Sequence, residues 1–289
     1  MLPDFFSLVT LCLMVVDLGD PFLSIRQGNF SQLREASNPL TVFVWNIDRG
    51  SEFSKIEETL RAAHADVCLL QEVDLHTSRT GFRDVAYDLA RDLSMNFSYG
   101  SAFEELNQST ESQKAYQGQA ILSRVPLEAC RILRFQSQTA FWKPEPYLPT
   151  WFPQRRVGGR IALVSRVNVG NVAVIFYNLH LESRGPGFTR FAQLEETLRD
   201  CERNPLSQPV VIGGDLNTKY MASKFVDQLV SKGFRNCFTH AERTHRVIGD
   251  LDWIFVRGPI TCEAASVNKS ASGSDHFPLT AKLRISSPK

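Results

Sequence analysis

Val42-Phe43-Val44-Trp45-Asn46-Ile47-Asp48 begins as an unbroken apolar run and ends in an amide and a carboxylate. A short apolar run of this kind is the pattern of a buried strand. The construction returns along the chain. Val67-Cys68-Leu69-Leu70 stops at Gln71-Glu72, Val174-Ile175-Phe176-Tyr177 at Asn178 and His180, and Val210-Val211-Ile212-Gly213-Gly214 at Asp215 and Asn217. Asp252 lies within Leu251-Asp252-Trp253-Ile254-Phe255, and Ser274-Asp275-His276 precedes Phe277-Pro278-Leu279. One Asp or Asn after a strand is ordinarily a turn residue or helix cap, and one Gln-Glu pair is ordinarily solvated surface. The recurrence of such sites, mixing carboxylates, amides and two histidines, is what calls for a common cause.

Between these runs the pattern alternates. Leu40–Trp45 and Asp66–Leu70 read as strands, and Ser54-Lys55-Ile56-Glu57 opens a helix with a capping pattern at its start and Ile56, Leu60 and Ala63 on one face. Asp84–Leu93 reads as a helix. Gln119–Leu122, Glu128–Phe135, Arg160–Val167 and Val172–Leu179 read as strands, the last two joined by a hairpin at Asn168-Val169-Gly170-Asn171. Phe188–Cys201 and Ser223–Val230 are helical, Pro209–Ile212 is a strand, and Leu251–Val256, Thr261–Val267 and Leu279–Ile285 close the chain as strands. Strands with helices interspersed predict an α/β or α+β layered domain, with sheets inside and helices outside. Residues 40–289 are expected to form this domain, with 1–39 as an appendage.

Composition agrees with a globular fold. The 289 residues are 43% hydrophobic and 22% charged, and the formal net charge is +1, so global charge does not argue for a nucleic-acid coat protein. Local patches can still steer an anionic substrate. No Cys-x-x-Cys pair and no zinc-type Cys/His spacing occurs, so Cys12, Cys68, Cys130, Cys201, Cys237 and Cys262 are expected as free thiols, which suits a reducing, cytoplasmic compartment. Residues 5–16 are almost wholly apolar but too short to span a bilayer as a helix, which takes ~20 residues. A packed or peripheral helix is the favoured reading; export or membrane association through residues 5–16 is the alternative. A monomer with no obligate protein partner is expected.

The chemistry that uses carboxylates, amides and imidazoles together is phosphate-ester hydrolysis. Mg²⁺ takes carboxylate and amide oxygens and keeps several waters, with Mn²⁺ as a substitute. It polarises the phosphoryl group and stabilises the leaving alkoxide. A carboxylate must take the proton of the attacking water. No Ser or Cys nucleophile setting is evident, which favours direct attack by water.

The blocks Val44–Asp48, Leu70-Gln71-Glu72-Val73, Gly118–Arg124, Asn178-Leu179-His180-Leu181-Glu182, Gly214-Asp215-Leu216-Asn217, Leu251-Asp252-Trp253 and Ser274–Pro278 resemble, in order, the signature blocks of the endonuclease/exonuclease/phosphatase superfamily. The resemblance implies the DNase I-like fold, a four-layer sandwich of two packed mixed β-sheets flanked by helices. It implies Glu72 as the principal metal ligand, assisted by Asn46 and Asp48, with Asp275 near the metal. Asp215 would orient or deprotonate the water, Asn217 and His180 would hold the phosphate, and His276 would bind a phosphate oxygen or act in proton transfer, oriented by Asp252. A non-catalytic member would lack the metal Glu, the activating Asp or the final His, and this chain keeps Glu72, Asp215 and His276. Trp45–Asp48 and His180–Ser183 are similar to the 5′-tyrosyl-DNA phosphodiesterase branch, although Thr218-Lys219-Tyr220 stands where that branch has Arg-Asp. The Cys-Asp-Arg of inositol phosphatases is replaced here by Leu251-Asp252-Trp253.

One segment is a candidate for substrate choice. Phe141–Arg160 carries Phe141, Trp142, Tyr147, Trp151 and Phe152 among prolines, then Arg155, Arg156 and Arg160. Aromatic and Arg side chains together can stack bases and hold phosphates; a Pro-rich loop packed by its own aromatics is the equal alternative. Arg184 would extend the basic rim. The substrate expected is a phosphate ester, nucleic acid among the classes, with a phospholipid or small-molecule ester as the alternative.

Overall fold

Alternation along Leu40–Arg49 decides the layering. Val42 and Val44 enter one core with Val67, Leu69, Phe176 and Val211, while Phe43, Trp45 and Ile47 enter another with Ile56, Leu60 and Leu89. Side chains alternate faces along a strand, so a strand that is apolar on both faces must be covered on both. The computed structural model describes residues 20–32, 35–142, 155–240 and 242–286.

In chain order these residues form β1 (Ile25–Gly28), β2 (Leu40–Arg49), α1 (Phe53–Ala63), β3 (Val67–Leu75), α2 (Val85–Asp92), β4 (Asn96–Glu105), β5 (Tyr116–Ser123) and β6 (Glu128–Arg134). They continue with β7 (Arg156–Gly158), β8 (Ile161–Val169), β9 (Val172–His180), α3 (Gly187–Cys201), β10 (Val210–Asp215), α4 (Ala222–Ser231), β11 (Arg235–Asn236), β12 (Asp252–Arg257), β13 (Ile260–Val267) and β14 (Leu279–Ile285). One sheet has the order β1-β4-β5-β3-β2-β14-β13, with β7 on β4; the other has the order β11-β12-β10-β9-β8-β6. Both are mixed: β2 pairs parallel with β3 and β9 with β10, and the other pairings are antiparallel. The sheets pack face to face. α1 and α2 cover the outside of the first through Ile56, Leu60, Val85 and Leu89; α3 and α4 cover the second through Leu194, Leu198, Phe225 and Leu229. This is the expected four-layer DNase I-like sandwich.

Three expectations need correction. Residues 1–39 are not all an appendage, because Ile25–Gly28 pairs with Phe97–Gly100 as the edge strand β1; four residues are too few for a periodicity to show. α1 starts at Phe53 with no side-chain cap, whereas the Asp84 carboxylate does cap α2 by accepting the Tyr87 N–H. Cys237 and Cys262 form a disulfide, with Cys68, Cys130 and Cys201 free. That bond ties the end of β11 in one sheet to β13 in the other, a juxtaposition no local spacing announces. The compartment drawn from six free thiols loses its premise. Residues 5–16, with Cys12, and Tyr147, Trp151 and Phe152 lie outside the described residues. Among those described, no helix is long and apolar enough to cross a membrane.

Candidate active site

Strand register alone assembles much of the site. On parallel β2 and β3, Asn46 lies opposite Gln71. On β9 and β10, His180 lies opposite Asp215, and antiparallel β12 places Asp252 on the other side of Asp215. Neighbouring strands are ~5 Å apart, so His180, Asp215 and Asp252 form a row across one sheet. In the other sheet β14 begins with Leu279 opposite Val44, which brings the preceding Ser274–Phe277 segment to the end of β2.

Backbone irregularities then turn the carboxylates at these strand ends. Register slips occur between Asn46 and Arg49 and between Gln71 and Val73. There Asp48, Arg49 and Glu72 adopt left-handed φ values of 42°, 71° and 52°. A non-glycine residue in this region costs about 1–2 kcal/mol, and bulges re-aim side chains. Strict alternation would send Glu72 after Leu70 into the helix-side core. Instead its Oε1 stands 3.9 Å from Nε2 of His180, on the opposite sheet. Under Asp215, a Cβ on Gly213 would strike Leu69 and Val44 of the facing sheet at 2.8 Å, and one on Gly214, at φ 142°, would lie 2.0 Å from the Leu179 carbonyl. The two glycines therefore let the sheets and strands close beneath the carboxylate.

The side chains converge. Asn46 Nδ2 donates to Asp215 Oδ2 at 3.2 Å and to Glu72 Oε1 at 3.4 Å, while its Oδ1 accepts the Asp48 N–H. Asp215 Oδ2 is 3.5 Å from His180 Nε2 and 3.8 Å from His276 Nε2, and its Oδ1 accepts the Asn217 N–H at 2.9 Å. His276 Nδ1 is 2.7 Å from Asp252 Oδ2. Trp45 Nε1 donates to the His276 carbonyl, and Ser274 Oγ donates to the Asn46 carbonyl, locking the C-terminal block onto β2.

A family model with the description Endonuclease/Exonuclease/phosphatase family matches residues 43–276. The chain belongs to that family. Its members are typically phosphoester hydrolases, and they generally use divalent metal ions. Among solved structures, an endonuclease/exonuclease/phosphatase from Beutenbergia cavernae is similar with TM-score 0.65 and 18% identity, covering 86% of this chain and 72% of that one. A family protein from Leptotrichia buccalis has TM-score 0.62 and 16% identity over 85% and 100%. TDP2 from C. elegans has TM-score 0.58 and 20% identity over 85% and 75%. These likenesses establish the fold. No curated protein matches.

Within this family site the charges divide. Burial works against the charged form of Glu72, yet His180, Arg49, Arg156 and Arg160 outweigh it and hold the carboxyl down at about 2. Burial and Arg160 push His180 itself well below the ordinary imidazole range. A neutral His180 offers Glu72 a dipole rather than a charge, which leaves the three arginines as its standing cations. Burial and the neighbouring Asp252 push Asp215 up to about 7, against the pull of His276, the Asn217 N–H and Asn46. Burial opposes the imidazolium of His276, but Asp252 overcomes it and raises His276 to about 10. Burial, opposed by Arg49, raises Asp48.

The donors fit a hard divalent cation. Glu72, Asp48 and Asp275 keep 22%, 35% and 56% of their side-chain surface accessible, and Glu72 is held ionised, so oxygen ligands face solvent where an ion could enter. Among the described residues two groups, His245 with Asp275 and His276, and Asp215 with Asp252 and His276, each bring ligand atoms within 4.8 Å of one another.

The expected arginines separate. Arg156 is buried, pairs with Glu105 Oε1 at 2.6 Å and donates to Gln117. Arg160 is buried, donates to Ser183 Oγ and lies over Phe103 and Trp142. Partly buried Arg155 uses its carbonyl to accept the Leu106 N–H. Arg184 is exposed and stacks on Phe141. Of the aromatics in that segment, Trp142 is buried and donates to Glu182, whereas Phe141 is half exposed. Sequence reading missed His245. It sits in a loop with no flanking apolar run, so nothing local marks it.

Proposed function

We propose that this protein is a Mg²⁺-dependent phosphodiesterase that cleaves its ester by direct attack of water, with a nucleic-acid backbone as the substrate class. The observation that carries the reading is the convergence of Asp215, held near neutrality, with His180, His276 and the ionised Glu72 at one rim. Glu72, Asp48 and Asp275 would hold the metal, with Asn46 linking Glu72 to Asp215. The metal, when bound, supplies Lewis-acid polarisation of the phosphoryl group and charge stabilisation of the leaving oxygen.

The chain's own groups supply the rest. Asp215 takes the proton of the attacking water; a base whose pKa lies near the working pH is the effective one. The Asn217 N–H on Oδ1 and the Asn46 amide on Oδ2 fix its carboxylate. His276, kept charged and oriented by Asp252, and neutral His180 face the same oxygen, where they can donate to phosphoryl oxygens as negative charge grows. Asn217, whose Nδ2 donates to the Leu181 carbonyl, stands beside them.

Substrate class is supported by exposed rings that follow His180 and Asn217 in the chain, at the start of α3 and in the turn before α4. Tyr220 is 99% exposed and Phe188 72%, and Arg184 lies 5.5 Å from the Phe141 ring centre. Exposed rings with a cation suit base stacking and phosphate contact. The test is turnover in Mg²⁺ on single-stranded DNA, abasic duplex, a 5′-tyrosyl oligonucleotide, phospholipid vesicles and a generic bis-ester. Cleavage of an oligonucleotide bond above the generic ester is expected. Hydrolysis of the phospholipid alone would refute the substrate class, and no turnover on any ester would refute the enzyme.

A further inference from the structure

His245 stands in the short loop Thr244–Gly249, which is laid against the last family block. Its backbone N–H and that of Thr244 donate to the Gly249 carbonyl, the Arg246 N–H donates to the Asp275 carbonyl at 2.8 Å, and the Phe277 N–H donates to the Thr244 carbonyl at 2.6 Å. Arg246 adds bonds to the carbonyls of Ser274 and Ala271. The loop thus forms a small ladder with the Ser274–Phe277 segment, with His245 bridged to His276. The two imidazoles meet edge to face, centres 4.7 Å apart and planes at 89°.

The ring nitrogens of His245 have different environments. Nδ1 accepts the backbone N–H groups of both Val247 and Ile248, each at 3.0 Å. Two donors aimed at one nitrogen leave no place for a proton there, so a neutral ring must carry its hydrogen on Nε2. Nε2 lies 3.3 Å from Asp275 Oδ2. A histidine that ligates a metal through Nε2 needs that nitrogen bare, and its other N–H is then normally a donor. The two backbone donors impose the opposite arrangement. Asp275 is the carboxylate that needs holding: its side chain is 56% accessible, and besides His245 it has the Ser274 hydroxyl at 3.4 Å.

We propose that His245 is a positioning residue, whose Nε2–H donates to the Asp275 carboxylate and aims it at the metal, and that it is not itself a ligand of that metal. This rests on the reading of Asp275 as part of the metal-binding set. The consequence is that the cluster of His245, Asp275 and His276 is one ligand with its support, rather than a second three-ligand metal centre.

Long-range ¹H–¹⁵N correlation spectra of the full chain, metal-free and with Mg²⁺, read the tautomer directly. Protonated Nε2 and bare Nδ1 in both states are expected; a proton on Nδ1 in either would overturn the proposal. Mn²⁺ binding without substrate, followed by electron paramagnetic resonance, tests the role. His245→Phe keeps the ring against His276 but removes the donor, and should weaken Mn²⁺ binding roughly 10-fold or more. His245→Gln restores an N–H and should recover most of the loss. Wild-type affinity in His245→Phe, or no recovery in His245→Gln, would overturn the proposal while leaving the enzymatic reading intact. Mn²⁺ binding with the expected variant pattern but no turnover on any ester would refute the function and leave His245's role standing. A wild-type protein that fails to bind Mn²⁺ would overturn both.

Discussion

Glu72 and Asp215 are carboxylates only a few ångströms apart, joined through the Asn46 amide, yet the fold treats them oppositely. Burial works against the charge on both: Asp215 is almost fully enclosed, and Glu72 keeps 22% of its side chain accessible. Glu72 faces Arg49, Arg156 and Arg160 and is held at about 2; Asp215 faces Asp252 on neighbouring β12 and is pushed up to about 7. Burial raises both, so the neighbouring charges decide the difference. One half of the site is a permanent anion suited to a cation, and the other is a group that can gain and lose a proton. Two carboxylates with separated pKa values have separate tasks.

The largest effect should come from collapsing that difference. Asp215→Asn keeps the shape and removes the proton acceptor; kcat should fall roughly 10²–10⁴-fold while Mn²⁺ is still bound. Glu72→Ala should instead lose metal binding, just as chelator-treated wild-type protein loses activity and regains it with Mg²⁺ or Mn²⁺. Steady-state kinetics over a metal titration separates the two, and full activity of Glu72→Ala in chelator would break the assignment. His276→Ala should be impaired comparably to Asp215→Asn. The double variant should be far less than multiplicatively worse, because the two serve one step.

The arginines behind Glu72 sharpen the contrast next. Arg156→Ala leaves buried Glu105 with only its longer Arg79 pair at 3.3 Å, so the loss should fall toward the lower end of the about 3–5 kcal/mol that breaking a buried pair costs, to be measured by urea unfolding. Exposed Arg184→Ala should leave stability within about 0.5 kcal/mol and raise KM with kcat largely intact. Equal stability for the two variants would mean that Arg156 is not a structural cation.

The smallest effect is on the pH dependence of stability in metal-free protein. His276 is raised from its ordinary 6.5 to about 10, so its contribution is complete below pH 6.5 and is lost as pH rises to about 10. The melting temperature of chelator-treated protein should decline across that window, and Asp252→Asn should flatten the decline. An unchanged slope in Asp252→Asn would show that Asp252 is not what holds the proton on His276.

Much of this was legible because strands announce their ends. The runs that stop at Asn46, Gln71, Asn178 and Asp215 are apolar on both faces, so the first polar residue marks where apolar packing gives way to the site, although each of the four is itself buried. β4 escaped notice because Asn96-Phe97-Ser98-Tyr99-Gly100-Ser101 buries its polar side chains as well, and it has no apolar run to detect. Arg156 read as a substrate contact because its partner Glu105 is far away in sequence. The disulfide and His245 were invisible for the same reason.

From its sequence alone this protein is legible as a layered α/β member of its family, with carboxylates, amides and histidines at strand ends, because apolar periodicity and residue chemistry are local properties. Which carboxylate is charged, which arginine is exposed, which cysteines meet and which histidine supports Asp275 depend on distances across two sheets. Electrostatic energies vary with those distances and with burial, and only the packed tertiary structure sets either.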